Sequence, residues 1–126
     1  MKNYLLDTHV LLWWLSGENK IHKKALAIIS NVDNLIFVSA ATIWEISIKK
    51  SLGKLRVSDN IKDAIESSSF QYLSVTAEHA FCVERLSRIH NDPFDRLLIA
   101  QCIVDDLTFI TADKIVAKYG IECIKV

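Results

Sequence analysis

The sequence predicts a three-layer α/β/α sandwich around a parallel five-stranded sheet with strand order 3-2-1-4-5. Short apolar runs alternate along the 126 residues with segments of helical periodicity, which is typical of parallel strands joined by crossover helices. The runs at 4–6, 35–38 and 107–110 are mostly apolar throughout, as expected of interior parallel strands. The runs at 70–75 and 121–126 include polar residues, so we place these strands at the edges of the sheet.

Helices are predicted between the strands from caps and breakers. In chain order they span residues 8–15, 21–32, 40–52, 60–66, 76–88, 93–105 and 113–119. The glycines lie where the residue following a helix is expected, at positions 17, 53 and 120. Pro93 is the one proline, and proline is best tolerated at the first position of a helix. This predicts Asp92 as the N-cap and Asp95 as the third residue of the helix.

Apolar stripes at spacings of three and four residues predict which faces of these helices are buried. The stripes are Ile21, Ala25, Ile28, Ile29 and Val32 in the second helix, Ala41, Trp44 and Ile48 in the third, and Leu98, Ile99, Cys102 and Ile103 in the sixth. Glu45 shares the stripe of the third helix, and Asp95 begins that of the sixth. A buried carboxylate is costly without a partner, so both positions invite a functional interpretation.

Composition and charge narrow the class of protein. The chain is 51% hydrophobic and 24% charged, which argues against disorder. Its 15 basic and 15 acidic side chains cancel, so nucleic-acid binding would need a local patch. Asp7 and His9 interrupt the apolar N-terminal residues before a signal-peptide core forms, and no run approaches the ~18 apolar residues of a membrane span. Three cysteines without metal or redox spacing indicate reduced thiols. We expect one domain, 1–126, in the cytoplasm, with no membrane contact.

Four acids are expected to surround one crevice. In the predicted strand order, strands 1 and 4 are neighbours at the switch point, where ligands bind at the carboxyl ends of the strands. Asp7 ends the first strand and Asp113 follows the fourth. Glu45 comes from the helix after the second strand, and Asp95 from the helix that leads into the fourth.

Ordinary structural roles exist for each acid. Asp7 and Asp113 are placed to cap helices, Asp95 to act in a capping box, and Glu45 to pair with Lys49 one turn away. These roles leave the shared location unexplained. Clustered carboxylates repel one another unless a cation lies between them. Oxygen ligands without nearby His or Cys favour Mg²⁺ or Mn²⁺ over zinc, and such an ion suits phosphodiester hydrolysis because it activates water and neutralises developing charge.

Four stretches in order carry a family resemblance. They are Leu5-Leu6-Asp7-Thr8-His9, Ser39 to Ile48, Asn91 to Gln101 and Thr111-Ala112-Asp113-Lys114. Over essentially the whole chain, the sequence resembles the PIN-domain nucleases, close to the VapC-type toxins of bacterial and archaeal toxin–antitoxin pairs. The resemblance implies an α/β/α sandwich, Mg²⁺- or Mn²⁺-dependent endoribonuclease activity on RNA, a homodimer and inhibition by a cognate antitoxin.

Matched by motif, the resemblance implies an acidic quartet at Asp7, Glu45, Asp95 and Asp113. Asp7 and Asp95 would be the principal metal ligands, with Glu45 and Asp113 completing the site or holding water. Asp92 is a weaker match that fits a cap better, and the Thr111 hydroxyl is expected beside the acids.

A basic stretch lies next to Glu45 in sequence. It consists of Lys49, Lys50, Lys54 and Arg56, which can hold RNA phosphates or form a solvated helix face. Arg96 borders the predicted crevice and can meet a phosphate or the neighbouring acids. None of the four histidines has the spacing of a metal ligand, and no role is assigned to them.

Rival functions remain. A receiver-type regulatory domain that binds Mg²⁺ without catalysis needs a phosphoacceptor Asp after the third strand, where Ser74-Val75-Thr76 has none. A two-aspartate phosphatase requires an acid at the position of His9. A PIN nuclease of RNA maturation or DNA repair stays open. The complete quartet argues against a module that has lost activity.

Overall fold

The computed structural model describes residues 2–126 and contains one five-stranded sheet. Its strands are β1 Asn3–Leu6, β2 Leu35–Ser39, β3 Gln71–Leu73, β4 Thr108–Thr111 and β5 Cys123–Lys125. All neighbouring pairs are parallel, and the strand order is β3-β2-β1-β4-β5. This confirms the predicted order, although both edge strands have only three residues. In the centre, Leu5 pairs with Phe37 on one side and Phe109 on the other.

Six α-helices and one 3₁₀ helix connect the strands. They are α1 Thr8–Ser16, α2 Lys23–Ser30, α3 Ala40–Ser51, α4 Ile61–Ser67, α5 Ala77–Arg85, α6 Pro93–Asp105 and the 3₁₀ helix Lys114–Tyr119. The predicted start of α6 is confirmed, because the Asp92 side chain accepts hydrogen bonds from the backbone N–H groups of Phe94 and Asp95. The predicted helix ends at Gly17 and Gly120 are also confirmed, with φ values of 71° and 74°. The segments predicted at 21–32 and 76–88 form shorter helices.

Two apolar clusters lie on opposite faces of the sheet and make it the middle of three layers. Tyr4 and Leu6 of β1 belong to a cluster with buried residues of α1, α2 and α4. Leu5, between them, belongs to a second cluster with α6 and the 3₁₀ helix, as expected because alternate side chains of a strand point to opposite faces. Helix α3 contributes to both clusters, through Ile46 and Ala41. The predicted α/β/α sandwich is therefore confirmed.

Three residues of the predicted apolar stripes are exposed. Val32 lies beyond the end of α2, so the helical spacing does not apply to it. Trp44 is 60% exposed and packs edge-on against Phe94 of α6, with ring centroids 5.3 Å apart. Ile103, near the end of α6, is also exposed. In α3 the spacing correctly placed Ala41 on the buried side, but that side continues through Thr42 and Ile46 and not through Trp44.

Across residues 2–126, no helix combines the length and the apolar character that crossing a bilayer requires.

Candidate metal centre

Asp7 and Asp113 lie at the carboxyl ends of the neighbouring strands β1 and β4. Asp7 is buried, with 5% exposure, and its carboxylate accepts from the Thr8 backbone N–H at 2.7 Å and from the Thr111 hydroxyl at 2.6 Å. Thr111 Oγ1 accepts in turn from the Asp113 backbone N–H at 3.0 Å. The last residue of β4 thus joins the two acids, as expected for the Thr111 hydroxyl.

Glu45 enters from α3 and is also buried, with 4% exposure. Its Oε1 accepts from the Thr8 hydroxyl at 2.8 Å, and its Oε2 accepts from Lys49 Nζ at 2.7 Å. The pairing with Lys49, left open above, is therefore present, and this hydrogen bond raises the pKa of the Lys49 ammonium. Thr8 contacts Asp7 through its backbone and Glu45 through its side chain, so it fixes one acid relative to the other.

Asp95 and Asp113 meet around a histidine. His90 Nε2 lies 2.8 Å from Asp113 Oδ2 and 3.2 Å from Asp95 Oδ2. One potential ligand atom from each of these three residues lies within 4.8 Å of the other two. His90 also precedes the Asp92 cap of α6, and its Nδ1 accepts from the Asp92 backbone N–H at 3.1 Å.

The structure therefore brings all four predicted acids to one end of the sheet. A continuous series of contacts runs from Asp95 through His90, Asp113, Thr111, Asp7 and Thr8 to Glu45 and Lys49. Asp7 and Asp113 cap the helices that follow them, and Glu45 pairs with Lys49, so these ordinary roles and the convergence coexist in the same side chains. The capping-box role predicted for Asp95 is wrong, because the Asp92 backbone N–H donates to His90 Nδ1 and not to the Asp95 carboxylate.

The electrostatics of this end of the sheet favour a bound cation. Burial, with the negative charges of Asp7 and Asp92 next in size, raises the pKa of Asp95 to about 7. Burial also raises the pKa of Asp7, against the lowering effect of the Thr111 hydrogen bond. A nearby positive charge favours the ionised form of such carboxyls. The expectation that no histidine lies near the acids is wrong, because His90 lies between Asp95 and Asp113. Carboxylate oxygens are nevertheless the donors that Mg²⁺ and Mn²⁺ prefer, and in this respect the acids fit the ion implied by the resemblance.

The other predicted site residues occupy different surroundings. Asp92 caps α6, as the weaker match suggested. Lys50 Nζ forms an exposed ion pair with Asp59 at 2.7 Å, and Lys54 is exposed. Arg56 lines a groove of about 570 Å³ beside α1.

The Arg96 guanidinium is bound by backbone carbonyls and not by the acids. Its two terminal nitrogens donate to the backbone carbonyls of Val83, Leu86, Ser87 and His90, which hold the end of α5 against the start of α6. A guanidinium with these donors committed to the backbone has little left for a phosphate or a carboxylate. We therefore leave Arg96 out of the RNA-contacting set proposed below.

Sequence reasoning missed Thr8 and His90. Thr8 directly follows Asp7, so a hydroxyl at the first turn of α1 was available as a signal. His90 stands two residues before the N-cap of α6, where an imidazole can accept from the free backbone N–H of the cap residue. Spacing relative to other histidines and cysteines was the wrong criterion, because His90 meets acids from both sides of β4 in the sequence.

Comparisons with known proteins agree with this fold. The chain is similar to the VapBC2 complex of Rickettsia felis bound to a promoter DNA fragment, with 14% identity, 98% of each chain covered and a TM-score of 0.75. It is similar to DNA-bound VapBC from Salmonella typhimurium, with 17% identity, 99% and 98% coverage and a TM-score of 0.70.

A third similar structure is VapBC-5 of Mycobacterium tuberculosis, a member of the VapBC family of toxin–antitoxin systems, with 20% identity, 100% coverage of both chains and a TM-score of 0.61. At these identities the likeness establishes the fold. Among curated proteins, none matches the chain in sequence. A family model described as the PIN domain matches residues 4–122, and the chain therefore belongs to the PIN domain family.

Proposed function

We propose that this chain is a divalent-metal-dependent endoribonuclease and the toxin of a toxin–antitoxin pair. The observation that carries the proposal is the convergence of Asp7, Glu45, Asp95 and Asp113 at the carboxyl ends of β1 and β4. These acids come from four separate parts of the chain and are linked by contacts of 2.6–3.2 Å through Thr8, Thr111 and His90. A fold that needed the acids only as helix caps would not have to bring them together.

In this proposal Asp7 and Asp95 are the principal ligands of Mg²⁺ or Mn²⁺, and Glu45 and Asp113 complete the site or hold water beside it. When bound, the ion would activate water and neutralise charge that develops on the phosphate. The Thr111 hydroxyl and the Thr8 backbone N–H orient the Asp7 carboxylate. Such hydrogen bonds to ligating carboxylates tune both the geometry and the affinity of a metal site.

The four carboxylates of Asp7, Glu45, Asp95 and Asp113 are called the acid cluster. The RNA is proposed to approach across its exposed side. The Lys49 ammonium contacts Glu45 and carries a charge that the acids Asp92 and Asp95 stabilise, so it stands beside the cluster where a phosphate would lie. The basic stretch continues with Lys50, Lys54 and Arg56, which would contact phosphates further along the RNA. Binding through these residues would weaken as the salt concentration rises.

The toxin role rests on the fold shared with chains of VapBC complexes. We propose a cognate antitoxin protein as the partner and a homodimer as the assembly. Expression of the chain alone is then expected to arrest growth, and co-expression of the small protein encoded next to it is expected to relieve the arrest. Growth that continues normally at full expression of the folded chain would count against the toxin role while leaving the nuclease proposal intact.

Two rival functions differ in how well they agree with the fold. A receiver-type domain of the doubly wound class has strand order 2-1-3-4-5, whereas this sheet has the order 3-2-1-4-5, which argues against that rival. A PIN nuclease of RNA maturation or DNA repair would use the same acids. The DNA-repair alternative is distinguished by its substrate, because a repair nuclease would cleave DNA in preference to RNA.

The direct test is cleavage of single-stranded RNA by the purified chain with Mg²⁺ or Mn²⁺, before and after chelation. Asp7→Asn keeps an oxygen to cap α1 but removes the charge, and it is expected to abolish cleavage. Asp63→Asn is the matched control, because Asp63 is exposed in the first turn of α4 and takes no part in the contacts that link the four acids. Circular dichroism verifies that both variants fold. Undiminished cleavage by Asp7→Asn, or by the chelated wild type, would refute the metal-dependent mechanism.

A further inference from the structure

His90 is held by contacts on three sides. Its backbone N–H donates to the Tyr119 hydroxyl at 2.7 Å, and its carbonyl accepts from Arg96 at 3.2 Å. Its ring nitrogen Nδ1 accepts from the Asp92 backbone N–H at 3.1 Å. These partners belong to the 3₁₀ helix and to the beginning of α6, so the imidazole is fixed in position independently of the acids that it faces.

The contact at Nδ1 determines the tautomer of the ring. A backbone amide can only donate, so Nδ1 must present its lone pair to Asp92, and a neutral ring then carries its proton on Nε2. The Nε2–H group points between Asp113 Oδ2 and Asp95 Oδ2, at 2.8 and 3.2 Å. A histidine ligates a metal through a lone pair. For Nε2 to do so, the proton would have to move to Nδ1, where it would face the Asp92 amide donor.

We propose that His90 is a positioning residue of the metal centre: its Nε2–H group holds the Asp95 and Asp113 carboxylates side by side for the cation, and it is not itself a ligand. The inference rests on the proposed metal centre and adds a residue that the acidic motif does not contain. Asp95 precedes β4 in the chain and Asp113 follows it, and the two carboxylates repel each other. A donor shared between them compensates this repulsion and fixes their separation before an ion arrives.

Positioning and ligation predict different measurements. Mn²⁺ affinity is measured on the full chain by titration with electron paramagnetic resonance detection, and pulsed spectra of the bound Mn²⁺ report any directly coordinated imidazole nitrogen. For the wild type we expect binding without imidazole nitrogen coupling. A ligating His90 predicts a different result. Coordination through Nε2 would give such coupling in the wild type, and every His90 variant would lack it.

Two substitutions distinguish the contributions of the two ring nitrogens of His90. His90→Asn keeps an acceptor near Nδ1 for the Asp92 amide but has no donor that reaches the carboxylates, and we expect its Mn²⁺ affinity to fall by ~10–100-fold, as for other partners of metal ligands. His90→Gln places an amide donor near the position of Nε2, and we expect it to retain more of the affinity. His22→Asn, at the exposed N-cap of α2, is the control and should bind as the wild type does.

Each of the following outcomes would overturn the proposal. Imidazole nitrogen coupling in the wild type would overturn the proposal in favour of ligation. Equal affinities of His90→Asn and the wild type would overturn it in favour of a purely structural role. Failure of the wild type itself to bind Mn²⁺ would remove the proposed metal centre together with this inference. Circular dichroism verifies folding, and if His90→Asn does not fold, an affinity of folded His90→Gln below one-hundredth of the wild-type value would also overturn the role given to the donor.

Discussion

Two histidines in this molecule make nearly the same local contacts. His79 Nδ1 accepts from the backbone N–H of Thr76, the N-cap of α5, at 3.0 Å. His90 Nδ1 accepts in the same way from Asp92, the N-cap of α6. On the opposite side of each ring, Nε2 faces a carboxylate oxygen at 2.8 Å, which belongs to Asp105 for His79 and to Asp113 for His90.

The surroundings of the two rings differ. His79 is almost fully buried, meets one carboxylate and ties the first turn of α5 to the last residue of α6. His90 is more accessible and meets Asp95 as well as Asp113, beside the buried Asp7 and Glu45. The same hydrogen-bonding pattern therefore serves a helix–helix junction in one place and an acid cluster in the other. The number of carboxylates around the ring, and not the geometry of the ring, distinguishes the two regions.

The most direct test of the difference between the two regions is to neutralise one acid in each of them. Asp95→Asn is expected to lower the rate of RNA cleavage by at least ~100-fold, because a bound divalent ion stabilises the transition state by several kcal/mol. Asp105→Asn, at the His79 junction, is expected to leave cleavage within about threefold of the wild type. Initial rates on single-stranded RNA at saturating Mn²⁺ measure both. Equal losses in the two variants would mean that the distinction between the regions is false.

Binding of metal should stabilise the whole protein through the acids around His90, and Asp105 beside His79 should not affect this stabilisation. At a free Mg²⁺ or Mn²⁺ concentration of 100 times the dissociation constant, linkage predicts ~2.7 kcal/mol of added stability, seen as a higher melting temperature. The wild type and Asp105→Asn are expected to show this increase, and Asp95→Asn is expected to lose most of it. Differential scanning fluorimetry with and without chelator measures the shift. An unchanged melting temperature of the wild type at millimolar metal would contradict the metal centre.

The His79 region should matter for stability instead. His79→Leu removes the contact with Asp105 and the acceptor for the Thr76 amide, so we expect the free energy of unfolding to decrease by ~2 kcal/mol. Urea denaturation monitored by tryptophan fluorescence measures the decrease. Folded His79→Leu should retain the wild-type Mn²⁺ affinity. A large loss of affinity in this variant would show that the two regions are coupled.

The smallest expected effect is a pH dependence that originates in the acid cluster. Burial and neighbouring acids raise the pKa of Asp95 to about 7, above the ~3.9 of an unfolded chain. The native metal-free protein therefore binds more protons at this site between these values, and its stability falls as the pH rises from about 4 to about 7. Since the carboxyl is partly solvated, we expect this contribution to be only about 1 kcal/mol.

The matched variants assign that pH dependence. Urea midpoints between pH 4 and pH 8 in the presence of chelator should show a smaller decline for Asp95→Asn than for the wild type. Asp105→Asn should keep the wild-type decline in this range. Identical profiles for Asp95→Asn and the wild type would mean that Asp95 does not carry the raised pKa.

Strand order and the positions of Asp7 and Asp113 were predictable because they depend on local patterns. Apolar runs identify interior strands, and an acid that follows such a run must lie at the carboxyl edge of the sheet. The partners of Glu45 were only half predictable: Lys49 lies one turn away on the same helix, but Thr8 reaches it from another element.

His90 and Arg96 could not be assigned from spacing, because their partners depend on how the segment before α6 folds back. The exposure of Trp44 was missed for a similar reason: periodicity gives the direction of a helix face but not where its neighbours end. The last helix was predicted with nearly correct bounds, yet it is a 3₁₀ helix, a distinction that apolar spacing over six residues does not make.

The hydrogen bond from Thr111 to Asp7 spans 104 positions of the chain, and this has a consequence for protein synthesis. Strand β1 is synthesised before β4 but lies beside it in the middle of the sheet, so one edge of β1 stays open until β4 has left the ribosome. A nascent or prematurely terminated chain that lacks β4 also lacks Thr111 and Asp113. The acid cluster can therefore assemble only after β4 and Asp113 have been synthesised, so a chain that stops before them cannot form it.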